Sequence, residues 1–257
     1  MIALKPRVSW VVFSLLLFSL SLLIEAQQAA APDLIREFRE RFQSRDWRER
    51  REALSDLQRV DRRLIPDKSA LVFDLLLREN QFIFDRSLDN TGVEEAYSDP
   101  YYTSLLATAI AFYREDKSEP RYAALAGSSY NFSSPFAAEL SIDAPRYLDL
   151  LAKKSSSDPN RYVRINTASI LGRALAENRF PVQDRDRVRQ LIVERLDDAD
   201  SEVRNRAITI VGGMGGEFAR QALLRAREAA KRSPSTRTPD ELRKLEQAIE
   251  AIEGRGL

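Results

Sequence analysis

The sequence predicts an all-α fold, a right-handed α-solenoid in which helix pairs stack on one another, preceded by an N-terminal signal helix. Three observations carry this. Nearly every segment after Pro32 places apolar residues at a helical period, with no alternating strand pattern. Two amphipathic blocks starting at Val163 and Val203, 40 residues apart, repeat each other without gaps. The first 26 residues have a composition of their own: Lys5 and Arg7, then an apolar stretch from Val8 to Ile24 broken only by serines, then Glu25-Ala26.

That last layout is the three-part plan of a secretory signal, with the cut expected after Ala26 and alternatives at Ala29, Ala30 and Ala31. Its apolar stretch is also at the short end of spanning length, so an uncleaved N-terminal anchor stays open. No Cys follows it, which excludes a lipoprotein anchor. The body, 33–253, is therefore expected to be exported in a bacterium, periplasmic or extracellular, and membrane-bound only if the N-terminal helix is retained.

Leu34, Ile35, Phe38 and Phe42 make the first apolar stripe after the signal. Asp46, with Glu49 three residues on, is an N-cap with a capping-box acid, and Trp47, Leu54, Leu57 and Val60 form the stripe that follows. Helix 67–85 is so apolar that burial on more than one side is expected. The segment 87–143 is irregular and aromatic. A loop is expected over 87–99, a helix from Asp99-Pro100 to about Tyr113, a shorter helix from Pro120, and a second loop from Gly127 to Pro135.

Asp143-Ala144-Pro145 opens the helix with Tyr147, Leu148, Leu150 and Leu151, and the clearest repeats, 144–175 and 188–216, begin here. Within them, Val163-Arg164 to Leu171-Gly172 aligns on Val203-Arg204 to Val211-Gly212, each block preceded by an acidic turn and an earlier helix. A capping helix over 239–253 closes the body: Thr238-Pro239-Asp240-Glu241 is a capping box, and Gly254 ends the stripe of Leu242, Leu245, Ile249 and Ile252.

The Val-Arg start, the Ala and the Leu-Gly at fixed spacing resemble the HEAT-repeat family, in particular the short repeats first noted in phycobilisome lyases. Residues 191–216 match closely, 144–175 match with Thr167 in place of Ala, and 34–60 are a degenerate copy in which Arg50 and Ala53 fit and Gln58 replaces Gly. The resemblance covers about half of the body. It implies HEAT-like helix pairs with an Arg at 164 and 204 that bonds the adjoining turn, and it says almost nothing of function.

Composition narrows the chemistry. There is no His and no Cys, so triads with histidine, thiol nucleophiles, disulfides and imidazole or thiolate metal sites are excluded. Removing residues 1–26 takes away Lys5, Arg7 and Glu25 and leaves 38 basic and 38 acidic side chains, a balance with no pull toward nucleic acid. Arg outnumbers Lys 33 to 7, which reads as genomic bias. The glycines from Gly212 to Gly216 lack the strand and the Lys-Ser/Thr of a phosphate loop and read as a turn. Asp197, Asp198 and Asp200 lack calcium-loop spacing and read as caps and arginine partners. The arginines of 36–63 read as an ion-paired face, and Asn131-Phe132-Ser133 as a sequon with nothing to support its use.

The function expected is a non-catalytic protein-binding or assembly scaffold without cofactor or metal. An enzyme on a HEAT scaffold, glycosylase-like or lyase-like, is the alternative, and a membrane-tethered scaffold another. Seven of the eight tyrosines lie from Tyr97 to Tyr147, where either core packing or recognition explains them. If recognition does, Tyr97, Tyr101, Tyr102, Tyr130 and Phe132 are the rings placed to reach a protein partner, while Tyr113 and Tyr122 belong to the core.

Overall fold

Capped amphipathic segments joined by short polar turns fold as helices, and among the described residues of the computed structural model every regular element is helical. These residues are 31–88, 99–128, 134–232 and 237–255. The expected signal segment 1–26, most of the two expected loops, and Tyr97, Tyr130 and Phe132 lie outside them. No helix among the described residues is long and apolar enough to cross a membrane. Contacts divide the chain into two compact units, one up to Arg78 with the start of the 99–115 helix through Leu105, the other made by Glu79 onward in the preceding helix and by Leu106 onward.

In the first unit, α1 (31–42) buries Phe38 and Phe42, whose rings lie 6.1 Å apart. Asp46 caps α2 (Trp47–Arg59), which buries Ala53, Leu54 and Leu57. The helix α3 (Lys68–Leu88) buries Leu71, Val72, Phe73, Leu75 and Leu76 but leaves Leu77 half exposed, so its burial is broad and not complete. The helix α4 (Asp99–Glu115) corrects one expectation. It starts at Asp99, as expected, but Tyr101 and Tyr102 on its first turn do not face a partner: both are buried, Tyr101 against Trp47 at 6.3 Å.

In the second unit, α5 (Glu119–Ala126) is followed by α6 (Ser134–Asp143), where the sequence reading assigned no helix after Pro135. Its apolar residues mark no single face, since Ala137 and Leu140 are buried while Ile142 is exposed. A 3-10 turn, Ala144–Tyr147, leads into α7 (Leu148–Ser157). Then come α8 (Arg161–Ala176), α9 (Val182–Val193) with a 3-10 turn at Glu194–Asp197, α10 (Ser201–Met214), α11 (Gly216–Arg232) and α12 (Pro239–Glu253). The helix α8 packs on α6, α7, α9 and α10, while α10 packs on α8, α9, α11 and α12.

Glycine sets how closely these helices approach. A Cβ on Gly172 would stand 2.5 Å from the Ile210 side chain of α10, and one on Gly212, 40 residues on, 3.1 Å from Ala248 of α12. The glycine-rich segment is a turn only at its end: Gly212 and Gly213 are helical, and Gly215 and Gly216 take φ of 67° and 73°.

Tyr113 and Tyr122 are fully buried, as expected of core rings, and Tyr147 stacks on Tyr122 at 4.1 Å. Each hydroxyl is satisfied: Tyr113 donates to Asp143 (2.7 Å), Tyr122 to the Leu140 carbonyl (2.9 Å) and Tyr147 to the Lys117 carbonyl (2.6 Å). Core packing thus accounts for every tyrosine of 97–147 among the described residues.

Candidate binding groove

Three helices, α2, α8 and α10, begin with one and the same turn. Asp46, Asn160 and Asp200 are their N-caps, accepting from the N–H of Arg48, Tyr162 and Glu202 at 2.8 to 2.9 Å. Two residues earlier, Ser44, Asp158 and Asp198 accept the N–H of the cap residue itself, at 2.9 to 3.1 Å. Four residues after each cap stands an arginine, and Nη1 of Arg50, Arg164 and Arg204 donates to the carbonyl six residues back, at 2.8, 2.7 and 2.8 Å. Ala53, Thr167 and Ala207 follow, all fully buried, and the Thr167 hydroxyl donates to the Val163 carbonyl (2.8 Å).

Two of these arginines also reach the next turn or helix. Arg164 holds the Asp198 carboxylate through Nε and Nη2, both at 2.9 Å, and Arg204 holds Glu241 of α12 at 2.8 and 2.9 Å. Burial disfavours the Glu241 anion, but hydrogen bonds from Arg204 and Arg237 outweigh it and hold its carboxyl below the usual glutamate range. Two further arginines tie carbonyls about 40 residues back, Arg195 to Ser155 (3.0 Å) and Arg237 to Leu196 (2.9 Å). The acids of 197–200 are therefore engaged as caps and partners, and no group of potential metal ligands occurs among the described residues.

This framework leaves a groove in the second unit. Across α8, α9 and α10 lies a cleft of about 510 Å³ whose apolar side is formed by Leu175, Ile210 and Met214. It stays open because Ala176, Thr209 and Gly213 are small and exposed, and a Cβ on Gly213 would meet nothing within 4 Å. Across α8, α10 and α12 a second cleft of about 460 Å³ adjoins it, since Thr209 lines both, with Ile165, Asn205, Arg206 and Lys244 among its walls.

The cations of the groove are unequally engaged. Lys244 pairs with Asp240 and Arg189 with Asp186. Arg185 donates to the Phe180 carbonyl (3.0 Å) and Arg206 to the Ser169 hydroxyl (2.8 Å), and no carboxylate among the described residues pairs with either. The Asn205 side-chain oxygen is buried with no hydrogen-bond partner among the described residues.

None of the described aromatic candidates lines this groove: Tyr101 and Tyr102 are buried in the first unit, and Tyr97, Tyr130 and Phe132 lie outside the described residues. Sequence reading missed the groove because its walls are ordinary exposed positions of two helices. The signal available was the contrast of the aligned blocks at the pairs Ile165/Asn205 and Asn166/Arg206. Comparison with protein-family models, curated proteins and solved structures finds no match to this chain.

Proposed function

We propose that the protein is an exported binding module, a right-handed HEAT-like solenoid without chemistry of its own, that holds a polypeptide partner along the groove lined by α8, α9, α10 and α12. One observation carries this reading: the core positions of the two aligned helices stay buried with small or aliphatic side chains, whereas a groove-lining pair, 165 and 205, switches from apolar to polar. Val163 and Val203, Thr167 and Ala207, and Leu171 and Val211 are equally buried, whereas Ile165 faces Asn205 in the alignment and both line the groove. Packing explains the first set, and a surface adapted to a ligand explains the second.

The repeated turn and its arginine support the HEAT resemblance, down to the degenerate copy at Arg50. The lack of His and Cys, and the structural engagement of the Tyr113, Tyr122 and Tyr147 hydroxyls, support a module that binds and does not catalyse. Since Tyr101 and Tyr102 are core, the groove replaces the aromatic segment as the surface that meets the partner.

The test is quantitative co-purification from the native cells with the wild-type chain and with Gly213→Leu as bait. The reading expects a polypeptide enriched by the wild type and depleted by about tenfold with the variant. Equal enrichment by both baits overturns it.

A further inference from the structure

The composition of the groove specifies what kind of segment it holds. Arg185, Arg189, Arg206 and Lys244 line it against one acid, Glu202, although the chain as a whole is nearly balanced. Arg185 and Arg206 carry guanidinium groups that no carboxylate of the described residues neutralises, one in each of the two joined clefts. Between them lie the Ile210 side chain and the small residues Thr209 and Gly213. A cation at each end of an apolar, narrow floor is complementary to a chain that alternates carboxylates with an apolar side chain.

We infer that the groove takes an extended acidic segment of a partner protein, one carboxylate at Arg185, another at Arg206, and an apolar side chain between them against Ile210. This rests on the binding-module reading above. The stretch of α10 from Asn205 to Gly213 rises about 12 Å, which about four residues of extended chain span. A polynucleotide fits less well, because it needs a continuous basic face and exposed rings to stack on, whereas the first cleft has aliphatic walls and the one ring of the second, Tyr162, is buried.

The probe is a fluorescein-labelled octapeptide with Glu-Leu-Glu-Leu-Asp at its centre, titrated with the full chain at low ionic strength and followed by anisotropy. Saturable binding is expected. It should weaken at least about tenfold when the acids are replaced by their amides, and by a similar factor in Arg185→Glu and in Gly213→Leu. Gly213→Leu should melt no lower than the wild type, since its side chain enters open space and leucine favours helix over glycine.

Equal affinity for the amide peptide overturns the inference without needing any protein variant. So does an affinity unchanged by both substitutions, or tighter binding of a single-stranded oligonucleotide that displaces the peptide. If native partner capture depends on Gly213 while the acidic probe binds no better than its amide, this inference fails and the binding-module reading stands. If neither depends on Gly213, the module reading itself fails.

Discussion

Arg204 grips the Glu241 carboxylate with two hydrogen bonds of 2.8 and 2.9 Å while its third nitrogen, Nη1, holds the Asp198 carbonyl at 2.8 Å. One guanidinium thereby caps the turn that starts its own helix and fastens α12, two helices on. Arg164 does the same 40 residues earlier with Asp198 and the Asp158 carbonyl. Asp198 serves both, giving its carboxylate to one arginine and its carbonyl to the next, so the fastening runs continuously from α8 to α12.

Removing Arg204 takes two of the hydrogen bonds from a carboxylate with almost no exposure and leaves Glu241 to Arg237 alone, which costs part of the about 3–5 kcal/mol of breaking a buried pair outright. Arg204→Ala should therefore lower the urea midpoint sharply. Arg204→Met combined with Glu241→Leu should restore much of the loss, because both members of the pair leave together and Arg237 keeps Asp197 and the Leu196 carbonyl. A double variant as unstable as the sum of both single ones would show that the two side chains do not act as a pair.

Acid sensitivity follows from the same carboxylate. Glu241 titrates below its ordinary 4.5 in the folded chain, so its contribution is present above about pH 4.5 and is lost as pH falls below that, where the unfolded chain takes up the proton first. The stability gap between the wild type and Glu241→Gln, measured by denaturant melts from pH 7 to pH 3, should be constant down to about pH 4.5 and shrink beneath it. A gap that widens on acidification contradicts this.

Burial, with the Asp143 hydrogen bond added to it, pushes the Tyr113 hydroxyl far above the usual tyrosine range, and burial raises Tyr122 and Tyr147 too. Only the unfolded chain ionises these hydroxyls near pH 10, so stability is full below that and declines as pH rises past it. Spectrophotometric titration should show these three tyrosines ionising together with loss of ellipticity. Their ionisation in a chain that keeps its helicity would remove them from the core.

Much of this architecture is legible in the sequence, and the reasons are local. N-caps at Asp46, Asp200 and Thr238 announce their helices because a short polar side chain before an apolar stripe has few other uses. The arginine at 164 and 204 is legible through repetition. What escapes depends on distant partners: α6 has no apolar stripe to read, and Tyr101, at the start of a helix the sequence does announce, is buried only because Trp47 of α2 lies against it. The groove is of the same kind, a property of two helices side by side.

Processing of the N-terminus is a separate expectation. Lys5, Arg7, the apolar stretch and Ala26 fit signal peptidase, so intact mass of the protein from its native cells should correspond to a chain beginning at Gln27. A mass that retains residues 1–24 would favour the tethered arrangement.

The most direct test of the central claim, that the groove is where a partner polypeptide is held, is site-specific photo-crosslinking in the native cells. Benzoylphenylalanine is placed either at Thr209, which lines both clefts, or at Arg225, an exposed position of α11 that lines neither. The account predicts a discrete adduct with a second polypeptide from position 209 and none from position 225. Adducts from 225 with none from 209 would contradict it.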